Sequence, residues 1–146
     1  MNNIIKKGLI INNITFSTIK KSSIHGYGLF ATKNIHKGSI LGNLDGQIIN
    51  WDNYDNIVCE LKKMIGNNNY LFMEWNAITT SKLLVRAFRT KYSFINHSYN
   101  PNLIIKYNPI RLELKSNISI NEEFTLDYSK EPLRKEYLED YGKTYL

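Results

Sequence analysis

Short apolar runs separated by turn residues are the feature of this sequence that most limits its fold. The dipeptide Asp45-Gly46 lies between two such runs, residues 39–44 and 47–49, and Asp-Gly is a typical β-hairpin turn. Runs of this length favour strands over helices, although residues 82–88 fit either element. The other runs predicted as strands are residues 16–20, 29–31, 70–75, 103–107, 111–114 and 123–127.

Two segments have the spacing of amphipathic helices. In residues 52–65, apolar side chains recur at nearly helical spacing, with Asp52 placed to cap the helix and Gly66 to end it. A second helix is predicted to open at Glu131-Pro132, because proline is tolerated in a first turn. Its apolar face comprises Leu133, Tyr137, Leu138 and Tyr141, and its end is marked by Gly142. The predicted fold class is therefore mostly β (α+β) with a C-terminal helix.

The length and composition are those of an ordinary globular chain. Its 146 residues suit one domain, or one domain with a small appendage. The single cysteine, Cys59, excludes an internal disulfide framework and a cysteine-rich zinc cluster, and it favours a reducing, intracellular setting. The net charge of +6 is scattered, which indicates a solvated basic surface with at most weak contact to nucleic acid. We expect no signal peptide and no membrane-spanning segment.

Three separated segments carry residues with chemical potential, and each of them alone is a weak signal. The first, residues 23–31, contains a Gly-x-Gly sequence, which predicts a tight turn or a close approach of backbone to a ligand. The second, residues 94–102, contains Asn-His-Ser and then Pro-Asn, whose side chains can fix an irregular backbone path. The third, residues 118–128, is predicted to be a turn and a strand that ends at Tyr128.

In this order and at this spacing, the three segments resemble the SET-domain family of protein lysine methyltransferases. The resemblance covers about residues 18–129, and its most specific part is the Asn-His-Ser-x-x-Pro-Asn sequence at residues 96–102. It implies small curved sheets in which the Asn-His-Ser segment threads beneath the loop near Tyr128 in a knot-like arrangement. Residues 1–17 are then an N-terminal extension or first strand, and residues 130–146 a helical flank that covers the cofactor and substrate site.

The resemblance also implies an activity. A methyl group would pass from S-adenosylmethionine to a protein lysine, with S-adenosylhomocysteine as the product and with no metal. The implied substrate is a histone or another lysine-bearing protein tail, in the nucleus on chromatin if it is a histone and in the cytoplasm otherwise. The implied catalytic residue is Tyr128. The implied cofactor-binding residues are His25, Gly26, Tyr27, Gly28, Asn96, His97 and Tyr128. The implied channel for the substrate lysine is lined by Tyr70, Ile105, Leu126 and Tyr128.

The sequence departs from the family pattern at four positions that matter for the site. Ser93 stands where the family commonly has an arginine, so one cofactor contact is lost or replaced. Asn121 stands for the usual turn glycine, a mild change because asparagine tolerates the left-handed conformation. Leu126 and Ile105 stand where relatives often carry an aromatic ring that limits the number of methyl groups. We therefore expect more than monomethylation.

Two further groups of residues bear on recognition. Aromatic rings of the C-terminal helix suit a cationic sulfonium or methylammonium, and the same periodicity equally suits a helix packed for stability. These rings belong to Tyr137, Tyr141 and Tyr145. The local acidic residues that can attract a basic tail are Glu122, Glu123 and Asp127.

Two alternative functions remain open at this point. One is a catalytically inactive SET-like module that binds protein tails, which failure to bind S-adenosylmethionine would favour. The other is a basic nucleic-acid-binding domain, which a steep salt dependence of DNA binding would favour. The sequence contains no contiguous basic stripe to support the second alternative. Neither the target lysine nor the oligomeric state follows from the sequence.

Overall fold

The structure is a computed structural model that describes residues 10–66 and 73–140, the side chain of Asp140 excepted. Its strands are β1 (Ser17–Lys21), β2 (Tyr27–Ala31), β3 (Ile40–Asn43), β4 (Gln47–Asn50), β5 (Glu74–Ala77), β6 (Lys82–Arg86), β7 (Asn96–His97), β8 (Leu103–Lys106), β9 (Arg111–Leu114) and β10 (Thr125–Leu126). Its helices are α1 (Trp51–Ile65) and α2 (Lys135–Asp140), and 3₁₀ turns occupy Lys91–Phe94 and Tyr128–Lys130. The mostly β architecture with a C-terminal helix is the predicted one.

The chain divides into two compact units. Within the described residues, the first unit comprises residues 10–44 and 90–130, and the second comprises residues 45–66, 73–89 and 131–140. Neither unit is continuous in sequence, because the chain passes from the first unit to the second, returns to the first and then enters the second again. Every predicted site residue that the structure describes belongs to the first unit.

The first unit contains two antiparallel sheets, β1–β2 and β3–β9–β8. Side chains alternate between core and surface along β9, where Leu112 and Leu114 are buried and Arg111 and Glu113 are not. Burying one large apolar side chain contributes about 1.5–3 kcal/mol, so such positions dominate the stability of the unit. The most deeply buried of them are Ile14, Leu29, Leu41, Leu103, Leu112, Leu114 and Phe124.

The first unit also contains a short parallel pair, β7 with β10. Asn96 lies opposite Thr125 and His97 opposite Leu126, and the Ser98 N–H donates to the Leu126 carbonyl at 3.0 Å. A parallel pair joins segments that are far apart in sequence, because its strands cannot be connected by a tight turn. The pairing places the Asn-His-Ser segment beside the segment of Tyr128, as the predicted threading requires.

The second unit combines the antiparallel sheet β4–β6–β5 with α1 and α2. Trp51, at the start of α1, is buried against Ala77 and Leu83 of the sheet. Its ring centroid lies 5.1 Å from that of Trp75 and 5.7 Å from that of Tyr137 of α2. Aromatic pairs at such distances stabilise by about 0.5–1.5 kcal/mol beyond their buried area. Tyr137 therefore has a packing role, while Tyr141 and Tyr145 lie outside the described residues.

The predicted hairpin at Asp45-Gly46 is wrong. β3 pairs with β9 and β4 pairs with β6, so the two strands that flank the dipeptide belong to different sheets and different units. A Cβ at Gly46 would lie 2.7 Å from the Val85 carbonyl oxygen, so glycine permits close backbone packing there. Pairing with strands distant in sequence overrides the local turn preference of Asp-Gly.

Each helix overlaps the segment predicted for it, but the cap of α1 and the start of α2 differ from the prediction. The N-cap of α1 is Asn50, which makes no side-chain capping bond, whereas Asp52 lies in the first turn, where its charge complements the helix dipole. The apolar face predicted for α1 is largely exposed, with Met64 78% and Ile65 47% accessible. α1 packs on its unit through its first turns, so helical periodicity did not predict burial. The ambiguous run at residues 82–88 contains strand β6. α2 begins at Lys135, so the predicted opening at Glu131-Pro132 is wrong.

Candidate functional site

A tight turn at residues 22–26, the Gly-x-Gly turn, joins β1 to β2; Gly26 lies in the turn and Gly28 lies in β2. The Ser22 N–H donates to the Gly26 carbonyl at 2.9 Å, and the Ser22 hydroxyl accepts from the Ile24 N–H at 2.9 Å. Gly26 has φ +47°, a conformation that favours glycine, and no atom lies within 4 Å of the position its Cβ would take. The turn therefore presents an open backbone surface at Gly26, as the predicted ligand contact requires.

The Asn96 side chain joins this turn to β7. Its Nδ2 lies 3.2 Å from the His25 carbonyl oxygen, 3.3 Å from the Tyr27 carbonyl oxygen and 2.7 Å from Glu123 Oε1. One amide group thereby contacts the carbonyls on either side of Gly26 and the segment that leads into β10. The structure thus brings together the predicted cofactor residues of the first and second sequence segments.

His97 and Tyr128 form the next part of the site. The Tyr128 N–H donates to His97 Nδ1 at 3.2 Å, and the two rings stack with centroids 6.0 Å apart. An Nδ1 atom that accepts a hydrogen bond carries no proton, so the neutral ring holds its proton on Nε2. That Nε2 atom is buried and has no hydrogen-bond partner among the described residues. A buried donor of this kind calls for an acceptor.

The ring and the hydroxyl of Tyr128 are both fixed. The hydroxyl donates to the Ile95 carbonyl, and the ring meets that of the buried Tyr92 edge-on at 6.4 Å. Because its proton is engaged, the Tyr128 oxygen can offer lone pairs to a further group without rotating. The side chain is therefore preorganised, which is the property that an orienting catalytic residue needs.

Asn102 holds the strand that ends at Tyr128. Its Nδ2 donates to the Glu123 carbonyl at 2.8 Å, and its Oδ1 accepts from the Thr125 N–H at 2.9 Å. The side chain thus satisfies two backbone groups just before and within β10, as a neighbouring strand would. In the sequence, Asn102 is only one residue of a motif, and the Pro-Asn pair does not predict this long-range role.

Glu123 is a second residue whose place the sequence did not predict. Its Oε1 and Oε2 accept from the Ser22 hydroxyl at 2.8 and 2.9 Å, and Oε1 also accepts from Asn96. A Cβ at Gly28 would lie 2.1 Å from Glu123 Oε1, so this glycine makes room for the carboxylate. Glu123 was considered as an attraction for a basic tail, but its carboxylate is engaged within the unit.

The other acidic residues differ in their exposure. Asp127 is buried, and its Oδ1 accepts from the Ser129 N–H at 3.0 Å and from the Ser129 hydroxyl at 2.5 Å. Glu122 is exposed, with its Oε2 accepting from the Ser119 N–H at 2.9 Å. Of the three acidic residues, only Glu122 is placed to attract a basic tail from solvent.

Of the residues predicted to line a lysine channel, the structure describes Leu126 in β10, Ile105 in β8 and Tyr128 after β10. Leu126 is 3% exposed in β10, opposite His97, so it lies beside the site. Ile105 is half-buried in β8 of a different sheet, opposite Leu112. Tyr70 lies outside the described residues. The channel itself stays a prediction.

Asn121 has φ +66°, so asparagine does take the left-handed conformation expected at the glycine position.

Among the described residues, two groups have shifted pKa values. Burial lowers the pKa of Lys91 in the first unit, whose Nζ donates to the Ser17 carbonyl at 2.7 Å. Burial, and secondarily the charge of Asp55, raise the pKa of Tyr54 in the second unit, while a hydrogen bond with Trp75 opposes the rise. Neither group belongs to the predicted site, so both shifts describe packing.

Among the described residues, no cluster of three or more His, Cys, Asp and Glu side chains has the arrangement of a metal site. No helix in this part of the chain has the length and apolar character needed to cross a membrane.

Comparisons with known proteins agree with the geometry. The sequence model of the SET domain matches residues 26–129. Histone-lysine N-methyltransferase SETD1 of Drosophila melanogaster is 35% identical over 128 residues, covering 80% of this chain and 7% of that protein. Putative histone-lysine N-methyltransferase 1 of Plasmodium falciparum is 31% identical over 122 residues, covering 75% of this chain and 2% of that protein. The chain thus spans less than a tenth of the length of these curated relatives.

A solved structure is also similar. The crystal structure of CpSET8 from Cryptosporidium superposes with a TM-score of 0.56 at 25% sequence identity, covering 80% of this chain and 59% of that one. The family match covers well over half of the present sequence and includes residues 26–31 of the first segment and all of the second and third segments. The chain therefore belongs to the SET-domain family of protein lysine methyltransferases.

Proposed function

We propose that this chain transfers a methyl group from S-adenosylmethionine to the ε-amine of a protein lysine. The observation that supports the proposal most strongly is the position of the Asn96 amide, which contacts the His25 and Tyr27 carbonyls and Glu123. It joins the three sequence segments on which the family resemblance depends, and it does so beside the anchored Tyr128.

The residues present fit the cofactor. The His97 Nε2 donor is buried without a partner among the described residues, and the ring nitrogens of an adenine are acceptors that match it. The open backbone at Gly26 allows a ligand to approach closely. The backbone of residues 25–28, with Asn96 and His97, would hold the cofactor. When bound, S-adenosylmethionine supplies a methyl group on a positively charged sulfur, which a nucleophile can displace.

Tyr128 acts by orientation in this proposal. Its hydroxyl proton is committed to the Ile95 carbonyl, so its oxygen can accept a hydrogen bond from the substrate amine or a weak C–H···O contact from a methyl group. The stacked His97 ring and the buried Tyr92 ring keep the Tyr128 side chain in one position. Holding two reactants in line can contribute about 7–11 kcal/mol to lowering a barrier, without a strong base.

The substrate lysine must lose a proton before it can act as a nucleophile. The pKa of a lysine in water is about 10.4, and an apolar environment lowers it because burial disfavours the ammonium ion. We assign this environment to Ile105 and Leu126 of the first unit, together with Tyr128. The apolar side chains of Leu126 and Ile105 also leave room for an amine that already carries a methyl group.

A histone-type tail is the proposed substrate. The names of both curated relatives describe histone-lysine methyltransferases, although each relative is far longer than this chain. Histone tails are basic, and the exposed Glu122 offers negative charge near the site, while the net charge of +6 opposes a basic tail overall. A nuclear, chromatin-associated location follows if a histone is the substrate.

A radiolabelled methyl-transfer assay tests the proposed function. Wild type, Tyr128→Phe and the control Tyr107→Phe are incubated with labelled S-adenosylmethionine and with purified histones or a cell lysate. Tyr107 follows β8 and is 39% exposed, so its variant reports the general effect of losing a tyrosine hydroxyl. We expect label on lysine with wild type and Tyr107→Phe, and a loss of about 10²-fold or more with Tyr128→Phe. No label on any protein, together with no binding of S-adenosylhomocysteine, would refute the proposal and favour the inactive binding module instead.

A further inference from the structure

The Glu123 carboxylate lies at the centre of a polar network, and the proposed mechanism gives this carboxylate no role of its own. Its two oxygens accept from the Ser22 hydroxyl, and Oε1 also accepts from Asn96 Nδ2 at 2.7 Å. Both donors belong to groups that also bind the backbone of the Gly-x-Gly turn. The carboxylate is therefore linked to the turn through two side chains, those of Asn96 and Ser22.

The Asn96 contact sets the orientation of the amide. The distance from Nδ2 to Glu123 Oε1 is 2.7 Å, whereas the distances to the His25 and Tyr27 carbonyl oxygens are 3.2 and 3.3 Å. Hydrogen bonds to a charged acceptor are shorter and stronger than those to neutral acceptors, so the carboxylate dominates this choice. Nδ2 has two protons and three acceptors, so without the carboxylate this group is held only by the two longer contacts with the His25 and Tyr27 carbonyls.

The Ser22 contact acts on the same turn from its other side. Ser22 donates its N–H to the Gly26 carbonyl at 2.9 Å and accepts the Ile24 N–H on its hydroxyl oxygen at 2.9 Å. The hydroxyl proton is directed at Glu123, which leaves the hydroxyl lone pairs available for Ile24. The carboxylate thus fixes the polarity of the hydroxyl as well as that of the amide.

Gly28 explains why the carboxylate can reach this position. A Cβ at residue 28 would lie 2.1 Å from Glu123 Oε1 and 2.7 Å from its Cδ, so any other residue would displace the side chain. Gly28 was predicted to bring its backbone close to the cofactor. Its contact with Glu123 is a second reason why glycine is needed at this position, and this contact lies within the first unit.

We propose that Glu123 is a positioning residue for cofactor binding. Its carboxylate holds the Asn96 amide and the Ser22 hydroxyl so that the backbone of residues 25–28 is fixed in its binding conformation. The inference rests on the proposed function, because that function assigns the turn to S-adenosylmethionine. Glu123 itself touches neither reacting group and acts through Asn96 and Ser22.

Calorimetric titration of S-adenosylhomocysteine into the whole chain tests the proposal. The variants are Glu123→Ala, Glu123→Gln and the matched control Glu122→Ala, which removes a neighbouring carboxylate that does not contact Asn96. Loss of a hydrogen bond to a charged group corresponds to about a tenfold change or more in affinity, so Glu123→Ala is expected to raise Kd about tenfold. Glutamine keeps one acceptor oxygen for Asn96, so Glu123→Gln is expected to recover much of the affinity. Glu122→Ala is expected to bind S-adenosylhomocysteine with the Kd of wild type, because the role proposed for Glu122 concerns the peptide tail and not the cofactor.

Amide hydrogen exchange without cofactor gives an independent readout. Glu123→Ala is expected to accelerate exchange at the Ser22 and Ile24 N–H groups while exchange in β9 is unchanged. Equal Kd and equal exchange in Glu123→Ala and Glu122→Ala would overturn the proposal. So would a uniform acceleration throughout the first unit, because the role would then be general stability. If wild type does not bind S-adenosylhomocysteine, the proposed function fails, and local exchange still decides whether Glu123 positions the turn.

Discussion

Replacement of Asn102 by alanine should destabilise the first unit more than its partial exposure suggests. The Asn102 side chain donates to the Glu123 carbonyl at 2.8 Å and accepts from the Thr125 N–H at 2.9 Å. Alanine leaves both backbone groups without these partners in a segment where Phe124 is 0% and Thr125 8% exposed. Water can replace the side chain only in part beside residues that are so deeply buried.

The magnitude follows from the two groups. A buried backbone group that loses its partner costs about 1–3 kcal/mol, so two groups set a range of about 2–6 kcal/mol. Asn102 is itself half-buried, and water reaching its position recovers part of this loss. We expect Asn102→Ala to lower the free energy of unfolding by about 2–4 kcal/mol. For a chain of this size, that corresponds to a fall in Tm of about 4–16 °C.

Urea denaturation followed by circular dichroism measures the effect, with Asn100→Ala as the control. Asn100 lies in the same loop and is exposed, and its side chain makes no hydrogen bond within the described residues. Its variant should stay within about 0.5 kcal/mol of wild type. Asn102→Asp adds a second comparison, because it keeps the acceptor for Thr125 and places a carboxylate oxygen against the Glu123 carbonyl. If Asn102→Ala unfolds at the same urea concentration as Asn100→Ala, the amide does not support β10 and the reasoning is refuted.

Three further predictions follow from other parts of the molecule. Glu74→Leu should lower the free energy of unfolding by about 3–5 kcal/mol, because Arg86 loses a buried carboxylate 2.5 Å away, and Glu74→Leu combined with Arg86→Met should recover most of it in urea denaturation. Since the pKa of Tyr54 is raised above 10.0, the folded state keeps a proton that the unfolded state loses, so stability should fall as pH rises through 10.0, and less so in Tyr54→Phe. Mass spectrometry of a methylated histone peptide should show di- or trimethyl-lysine with wild type and a shift toward monomethyl-lysine with Ile105→Tyr. Monomethyl product alone from wild type would contradict the last of these.

The sequence predicted the elements of the fold better than their partners. Strand positions were right for most of the described chain because alternation and turn residues act over a few neighbours. The Asp45-Gly46 hairpin was wrong because β3 and β4 each find a partner far along the chain, and no local pattern contains that information. The exposure of the apolar face of α1 also depends on parts of the chain that are distant in sequence. Apolar spacing makes a helix face available for burial, and the rest of the fold decides whether it is covered.

The candidate site divides in the same way. His97 and Tyr128 were predicted from motif order, and the parallel pair β7–β10 does bring them into contact. The supporting residues were not predicted. Glu123 binds Ser22 across 101 residues and Asn96 across 27, and neither link has a sequence pattern of its own. A carboxylate in a charged turn and a serine before a glycine turn are ordinary surface residues until the chain is folded.

The side chains of the two motif asparagines support the structure of the site. This affects how activity measurements on their variants are interpreted. Asn96 and Asn102 each use one side-chain amide to bind backbone or carboxylate groups of other segments. Changing either one removes contacts that assemble the site before any ligand is present, so loss of methyl transfer in such a variant does not identify a chemical role. Tyr128→Phe is different, because it removes one hydroxyl bond to Ile95 and leaves the ring contacts with His97 and Tyr92 in place. A loss of rate without a matching loss of stability in Tyr128→Phe, and a matching loss of both in Asn102→Ala, would separate orientation of the substrate from assembly of the site.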